Sequence, residues 1–341
     1  MAMWSKEEIR LESGERVVAQ MPIIVSASRS TDIPAFYADW FMERLRKGYV
    51  KWYNPFNNVP LYVSFKKTRL IVFWSKNPTK MLPHLGELDT ICPNYYFQYT
   101  LNDYDAEKVE PNVPSVDIRV DTFVKLSTRL GRDRVIWRFD PLMLTNTMGV
   151  PQLLDKLERL GDKIAPYTSR LVFSFIDISA YKKVSSNLQK GGILAREFSR
   201  DEMLEIASGI GKLVKGWGIQ SGTCAEGMNL EKFGIEHNRC IDDRLMVKCF
   251  SHDSELMRFI GAKCIKPEDL FGEAIWEPAD VAKKDAGQRA ACGCIMAKDI
   301  GEYNTCPHLC HYCYANTNNA TALENWKRHC LCPHADTITG R

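Results

Sequence analysis

The sequence lacks a strong net charge, a long apolar run and any low-complexity segment. Its 341 residues carry 45 Lys and Arg against 42 Asp and Glu, a net charge of +3. This balance argues against a surface dominated by electrostatic binding to nucleic acid or membrane. No run approaches the roughly 18 apolar residues that span a membrane, and the charged stretch 1–15 has no apolar centre like that of a signal peptide. We therefore expect a cytoplasmic protein with no membrane partner.

The apolar runs that are present predict a large α/β domain. A chain of this length with 45% hydrophobic residues can bury a sizeable core. Short runs rich in Val, Ile, Phe, Tyr and Trp are typical of a parallel sheet covered on both faces. Seven or eight strand–helix units over roughly 270 residues match a TIM-like (β/α)8 or partial parallel barrel, with an open doubly wound sheet as the alternative. The predicted strands are Tyr49 to Tyr53, Leu70 to Trp74, Tyr95 to Leu101, Val135 to Phe139, Leu171 to Ile176, Gly218 to Thr223, Ile23 to Ala27 and one near Cys240.

Helix signals fill several of the gaps between these strands. Thr31 or Asp32 can cap a helix that starts near Pro34. An apolar stripe from 116 to 130 ends at Gly131, and Ser199 begins a capping box ahead of another helix.

Polar side chains follow the predicted strands where each one ends. Because the carboxyl ends of parallel barrel strands meet at one mouth, we expect these side chains to line a polar pocket. Turn and cap roles are the alternative for several of them, since Asp140 precedes a proline and Asp32 can cap a helix. Arg138 and Gln98 lie inside apolar strands, so each should have a buried partner or a ligand. The candidate pocket residues are Arg29, Asp32, Lys76, Gln98, Asn102, Arg138, Asp140, Asp177 and Glu226, with Asn54 following the second strand.

Seven of the twelve cysteines lie between residues 292 and 332. Without a secretory leader, such clustering indicates metal or iron–sulfur ligands rather than disulfides. Cys306, Cys310 and Cys313 have the spacing C-x3-C-x2-C, which can hold three irons of a cubane and leave the fourth open. A change in composition near Trp276 suggests a barrel domain over 1–280 and a cysteine-rich extension over 281–341.

This triplet, with Tyr312 before its last cysteine, resembles the signature of radical-SAM enzymes. The resemblance implies a [4Fe–4S] cluster whose open iron is chelated by S-adenosylmethionine, with Tyr312 near the adenine. Because the triplet follows the predicted barrel, the tail must fold back across the barrel mouth. The wider pattern resembles domain-of-unknown-function family 1848, through segments 26–34, 53–57, 73–78, 137–141, 174–177 and 292–316.

The other cysteines leave several interpretations open. Cys292 and Cys294, alone or with Cys330 and Cys332, could bind a second cluster or a structural zinc, or be redox-active or simply packed. A zinc-stabilised tail without catalysis is the alternative for the whole region, although tetrahedral zinc usually has two pairs of ligands. We expect Cys92, Cys249 and Cys264 to be core residues rather than ligands.

Three function hypotheses follow. The first is an enzyme that cleaves S-adenosylmethionine and uses the adenosyl radical on an unknown, anionic or nucleotide-like substrate, with flavodoxin or ferredoxin as electron donor. Arg138 and Lys76 suit an anionic group. The second is a nucleotide- or nucleic-acid-binding, repair-associated protein with a structural cluster or zinc, in which Trp52, Tyr53, Phe56 and Trp74 stack on bases. The third, a metal-dependent hydrolase, has no compact His/Asp motif in its favour.

Overall fold

The computed structural model describes residues 4–55, 57–267, 274–281, 283–285 and 287–341. Its centre is an eight-stranded sheet in which every neighbouring pair of strands is parallel. The described strands are β1 (Ser5–Arg10), β2 (Arg16–Met21), β3 (Ile24–Ala27), β4 (Tyr49–Tyr53), β5 (Pro60–Ser64), β6 (Leu70–Ser75), β7 (Tyr95–Thr100), β8 (Val135–Leu142), β9 (Leu144–Thr145), β10 (Arg170–Phe175), β11 (Ala195–Arg196), β12 (Gln220–Thr223), β13 (Ile235–His237), β14 (Lys263–Lys266), β15 (Ile275–Glu277) and β16 (Lys298–Asp299).

Helices follow most strands of this sheet. Between β3 and β4 the chain forms two helices, and after β16 it ends in a helix that follows the cysteine triplet. The described α-helices are α1 (Ile33–Phe36), α2 (Ala38–Lys47), α3 (Leu85–Ile91), α4 (Val116–Leu130), α5 (Val150–Ile164), α6 (Lys182–Lys190), α7 (Arg200–Trp217), α8 (Asp243–Phe250), α9 (Ser254–Ile260) and α10 (Asn319–Leu331). None of the described helices is long and apolar enough to cross a membrane.

The strand order is β13-β12-β10-β8-β7-β6-β3-β16. From β3 to β13, the strands of this sheet therefore lie side by side in the same order in which they occur along the chain. Among the described residues β13 and β16 share no hydrogen bond, so the sheet is open. The parallel α/β sheet that we predicted is confirmed, but of its two predicted forms, a (β/α)8 barrel and a partial parallel barrel, the closed one is not formed. The eighth strand, β16, comes from the predicted C-terminal extension and pairs with β3 through Lys298 and Val25.

The prediction that β4 belongs to the parallel sheet is wrong. It lies in a second, four-stranded sheet of order β1-β2-β5-β4, where it runs antiparallel to β5. The limits of the strand were nevertheless predicted correctly. An aromatic run such as that around Trp52 and Tyr53 suits a half-buried antiparallel strand as well as a fully buried parallel one, so the pattern could not decide between the sheets.

Both faces of the parallel sheet are covered, as predicted, but by different parts of the chain. Successive strand residues point to opposite faces. One set, which includes Phe73 and Phe97, packs against residues of α1–α7. The other set, which includes Val72 and Tyr96, packs against α8, α9 and the segment 292–297. The second face is thus filled by a helical pair and by the start of the cysteine region.

Local signals in the sequence set most helix ends. Helix α4 ends at Leu130 before Gly131, and Ser199 forms the predicted capping box of α7 with Glu202. Asp32 caps α1 by accepting a bond of 3.0 Å from the backbone N–H of Ala35. The predicted continuous helix is interrupted at Tyr37, whose hydroxyl bonds the backbone oxygen of Thr305 in the tail.

Candidate functional site

A buried arginine connects the ends of three strands on the face covered by α8 and α9. The guanidinium of Arg138 donates to Gln98 Oε1 at 3.2 Å, to Cys240 Sγ at 2.9 Å and to Asp140 Oδ2 at 2.6 Å. The prediction that Arg138 and Gln98 have specific buried partners is thereby confirmed. Burial favours the neutral form of Asp140, but the adjacent guanidinium prevails and holds the pKa of this carboxyl below its usual range.

Two guanidinium groups lie near the ring of Trp74 at the same edge of the sheet. The Cζ atoms of Arg29 and Arg138 lie 5.5 and 5.2 Å from its ring centroid, distances at which cations attract an aromatic face. One nitrogen of Arg29, Nη2, is buried and has no hydrogen-bond partner among the described residues. The indole N–H bonds Ser26 Oγ at 3.1 Å, which fixes the plane of the ring.

A second buried network joins the strand ends to the cysteine tail. Lys76 Nζ donates to Glu110 Oε1 at 2.9 Å and lies 2.6 Å from the hydroxyl of Tyr312. Asn102 Nδ2 bonds Glu110 Oε1 and the Tyr312 hydroxyl, each at 3.0 Å, and its Oδ1 accepts from the backbone N–H of Asp140. Lys76, Asn102 and Tyr312, which the sequence placed in one site, are therefore in direct contact.

Glu110 is the residue of this network that the sequence did not indicate. Burial raises its pKa, but the charges of Lys76 and Arg119 and the hydrogen bond from Tyr312 lower it to about 2. Its side chain is 3% exposed, so the carboxylate is held almost entirely by protein groups. Glu110 lies in the irregular segment between β7 and α4, where no strand or helix pattern points to it.

Asp32 fixes the cysteine loop as well as capping a helix. Its Oδ1 accepts from Ser75 Oγ at 2.7 Å, and its Oδ2 accepts from the backbone N–H of Lys76 at 2.7 Å. His308, between the first two cysteines of the triplet, places Nε2 2.9 Å from Asp32 Oδ2. Asp32 thus has both the cap role and a site role, since it ties β3, β6 and the cysteine loop together.

The triplet Cys306, Cys310 and Cys313 lies at the same edge, where Cys310 is buried and the other two are partly buried. Burial raises the pKa of all three thiols, and the neighbouring cysteines of the triplet raise the pKa of Cys306 and of Cys310 further. In the opposite direction, backbone N–H groups of His308 and Asp32 stabilise the Cys306 thiolate, and those of Asn316 and Ala315 stabilise that of Cys313. The Lys76 ammonium lowers the pKa of Cys310 and Cys313.

A second group of thiols lies beside Arg138. Cys224 Sγ is 3.4 Å from Cys240 Sγ, and hydrogen bonding with Cys240 and Cys292 lowers the pKa of Cys294. Hydrogen bonding from Cys240, aided by the charge of Arg138, lowers the pKa of Cys224 to about 7.

The possible grouping of Cys292 and Cys294 with Cys330 and Cys332 stays a prediction, but the two pairs lie in different environments. The latter two lie at the exposed end of α10, whereas Cys292 and Cys294 pack with Cys224 and Cys240 on the inner face of the sheet. This contact joins residues far apart in sequence, so cysteine spacing did not reveal it.

The eighth strand anchors the loop that carries Arg29. Asp299 accepts from Ser26 Oγ at 2.9 Å and from the backbone N–H of Arg29 at 2.8 Å. Gly301 then passes so close to Ser28 that an added Cβ would lie 1.9 Å from its Oγ. Only glycine fits this approach, which seats the tail on the first strand of the sheet.

The remaining predicted residues lie towards the rim of this site. Asp177 is partly exposed and pairs with Arg289 at 3.2 Å. Glu226 accepts from the backbone N–H of Phe175 at 2.9 Å, and burial raises its pKa to about 7.

Several other predictions have mixed outcomes. Asn54 follows a strand of the other sheet and does not end a parallel strand. Cys92 is buried as predicted, Cys249 is partly buried, and Cys264 is exposed on β14, contrary to the core prediction. Phe56 lies outside the described residues.

In the described ranges, no group of three or more His, Cys, Asp or Glu side chains is arranged so that it could hold a metal ion as it stands. Whether the triplet or the thiols beside Arg138 could bind a metal or cluster is therefore judged from the chemistry of their donor atoms. For the triplet, that chemistry comprises one buried and two partly buried thiols, N–H groups directed at two of the sulfurs and a nearby ammonium.

These features define an α/β protein whose cysteine-bearing tail lies on the carboxyl ends of parallel strands. The chain belongs to the family described as "Domain of unknown function (DUF1848)", whose model matches residues 24–315. No curated protein matches the chain. A solved structure, "Crystal structure of a putative alpha-L-fucosidase from Bacteroides thetaiotaomicron VPI-5482", shares 11% identity and a TM-score of 0.25 over 48% of this chain and 67% of that one. At this level of similarity the likeness carries no functional argument.

Proposed function

We propose that this protein is a radical-SAM-like iron–sulfur enzyme whose active site lies between the cysteine loop and the carboxyl ends of β3, β6, β7 and β8. One observation carries the proposal. The loop that holds Cys306, Cys310 and Cys313 is bonded to the strand ends through Tyr312 with Lys76 and through His308 with Asp32. The thiols and the polar strand ends thus belong to one site, as catalysis at a cluster requires.

The donor set fits a [4Fe–4S] cluster held by three thiolates. Thiolates are the usual ligands of such clusters, and hydrogen bonds to their sulfurs tune the bound group. The N–H groups around Cys306 and Cys313 and the Lys76 ammonium supply such stabilisation. When bound, the cluster would supply the electron for reductive cleavage of S-adenosylmethionine, with a flavodoxin or ferredoxin as its donor.

The side chains of the chain itself would bind and orient the reactants. Arg29 and Arg138, both close to the ring of Trp74, would hold an anionic group of the substrate, and the unpartnered Nη2 of Arg29 is a donor available to it. Lys76 and Asn102 would fix Tyr312 in place. Glu226, with a pKa of about 7, would accept or release a proton near neutral pH.

The same proposal covers the architecture and the compartment. The sequential strand order, with β16 beside β3, supports an opened relative of the (β/α)8 barrel with a cluster-binding extension. All twelve cysteines are free thiols, which supports a reducing cytoplasm.

Anaerobic purification and reconstitution test this proposal. We expect about four irons and four sulfides per chain at the triplet, an electron paramagnetic resonance signal that changes on adding S-adenosylmethionine, and formation of 5′-deoxyadenosine. Cys306→Ala should lose the signal, whereas Cys330→Ala, in the same tail but exposed, should keep it. A reduced protein without a cubane signal would refute the cluster. A signal indifferent to S-adenosylmethionine, with no 5′-deoxyadenosine, would refute the reaction.

A further inference from the structure

A cavity of about 630 Å³ opens beside the cysteine triplet. Four tyrosines line it: Tyr53, Tyr181, Tyr303 and Tyr314. Its volume is within the range of about 300–1,000 Å³ that is typical of small-molecule sites. A ligand of nucleotide size would therefore fit between these side chains.

The tyrosine rings are arranged as surfaces for stacking. The centroids of Tyr181 and Tyr314 are 6.0 Å apart with the planes tilted by 33°. Tyr314 is 45% exposed and Tyr303 38% exposed, so their rings are not used up in core packing. Planar bases stack on such rings. This cavity therefore has the contact surface that a base requires.

The cavity is also positively charged at one end. Lys182 and Lys183 line it from the first turn of α6, which contains no acidic residue. In the part of the chain that the structure describes, neither lysine makes an ion pair. The N-terminus of this nine-residue helix adds its own positive field. Two unpaired ammonium groups at a helix N-terminus suit a phosphate.

The position of the cavity relates it to the proposed enzyme. Tyr314 directly follows Cys313, and its hydroxyl bonds the backbone oxygen of Arg29 at 3.3 Å. Lys183 Nζ lies 5.9 Å from the ring centroid of Tyr303, which precedes the triplet in the tail. A molecule in this cavity would thus lie next to the cysteine loop.

A neighbouring cavity of about 490 Å³ provides a contrast. It shares Lys182 with the tyrosine-lined cavity, but its other lining residues, such as Ile178, Ser185 and Glu197, include no aromatic ring. It has nothing on which a base could stack. Each cavity is lined by one carboxylate, but Glu302 of the tyrosine-lined cavity is paired with Arg341 at 2.7 Å. The combination of rings and unpaired lysines therefore distinguishes the cavity beside the triplet.

We infer that the tyrosine-lined cavity binds a nucleotide, with the base stacked on Tyr181 and Tyr314 and a phosphate held by Lys182 and Lys183. This inference deepens the proposed function by naming the substrate class of the same enzyme. It is tested by binding alone, so either proposal can fail while the other stands.

Isothermal titration calorimetry of the full chain with adenosine 5′-monophosphate is the test. We expect saturable binding that Lys182→Met/Lys183→Met weakens by about 10-fold or more, because a charged donor to phosphate is lost. The double variant should leave the affinity for adenosine, which has no phosphate, unchanged. Lys190→Met, at the exposed opposite end of α6, should bind as the unaltered protein does.

A second variant tests the stacking surface. Tyr181→Leu should weaken both adenosine 5′-monophosphate and adenosine by about 5-fold to 100-fold, whereas Tyr181→Phe should retain the affinity. Tyr181 makes no side-chain cap bond to α6, so these changes leave the helix intact. Cys306→Ala should not alter the affinity, which separates this result from the cluster experiment.

Three results would overturn the inference. One is the absence of saturable binding below about 1 mM. Another is equal competition by S-adenosylmethionine, which would assign the cavity to the cofactor. The last is much tighter, strongly salt-dependent binding of a thymidine hexanucleotide, which would assign it to a single strand instead.

Discussion

Replacing Glu110 with Gln removes the carboxylate at the centre of the network that joins β6 and β7 to the cysteine loop. The change leaves the Lys76 ammonium, which is 16% exposed, without its counter-charge. Breaking a buried ion pair in this way costs about 3–5 kcal/mol. The pKa gives a similar figure, because the difference between the ordinary 4.5 and about 2 corresponds to about 3 kcal/mol. We therefore expect the free energy of unfolding at pH 7 to fall by about 3 kcal/mol.

The effect of this substitution should depend on pH with a definite sign. The folded-state pKa of Glu110 lies below the unfolded value, so its contribution to stability is present above about 4.5. It is lost as the pH falls from about 4.5 towards 2, because the folded carboxylate is then protonated. The difference in the free energy of unfolding between Glu110→Gln and the unaltered protein should accordingly become smaller as the pH falls over this interval.

Urea unfolding followed by circular dichroism at pH 7 and at about pH 3 measures both effects. Glu324→Gln is the matched control. Glu324 is 75% exposed and lies 3.9 Å from Arg328, so its loss should cost less than about 1 kcal/mol at either pH. A cost below about 1 kcal/mol for Glu110→Gln at pH 7, or the same cost at both pH values, would refute the reasoning.

Two further predictions concern the tail and the rim of the site. Gly301→Ala should destabilise the protein by about 1–3 kcal/mol in urea unfolding, because its Cβ would meet Ser28, while Gly216→Ala, with open space around it, should have no such cost; equal effects would contradict the close approach. Because burial raises the pKa of Glu226 to about 7, its contribution is fully present below the unfolded value of about 4.5 and is lost as the pH rises through about 7. The stability of the unaltered protein relative to Glu226→Gln should therefore fall as the pH rises across this interval. A constant difference between the urea midpoints of the two proteins would contradict this prediction.

The sequence predicted the parallel strands well because their patterns are local. Each is a short apolar run bounded by polar residues, and the helices carry their own caps at Asp32 and Ser199. Patterns of this kind do not state which strand pairs with which. The run Tyr49–Tyr53 was therefore assigned to the wrong sheet, and the short eighth strand, Lys298–Asp299, was not foreseen.

The same difference between local patterns and long-range contacts applies to the candidate site. Residues that interrupt an apolar strand, such as Arg138 and Gln98, were identified because a buried polar group needs a partner. Glu110 was missed because it lies in an irregular loop and becomes important only through Lys76 and Arg119. The contact of Cys224 with Cys240 likewise depends on how the chain folds, and no spacing between neighbouring residues encodes it.

The position of β16 has a consequence for how the protein matures. Synthesis runs from the N-terminus, and domains can begin to fold while the chain is still being made. The strands β3–β13 emerge first, but Asp299, which holds the loop of Arg29, and the loop with Cys306 follow only later. The candidate site is therefore incomplete in every nascent chain that stops short of residue 313, and the cluster and substrate that we propose would have no complete site before the tail has docked.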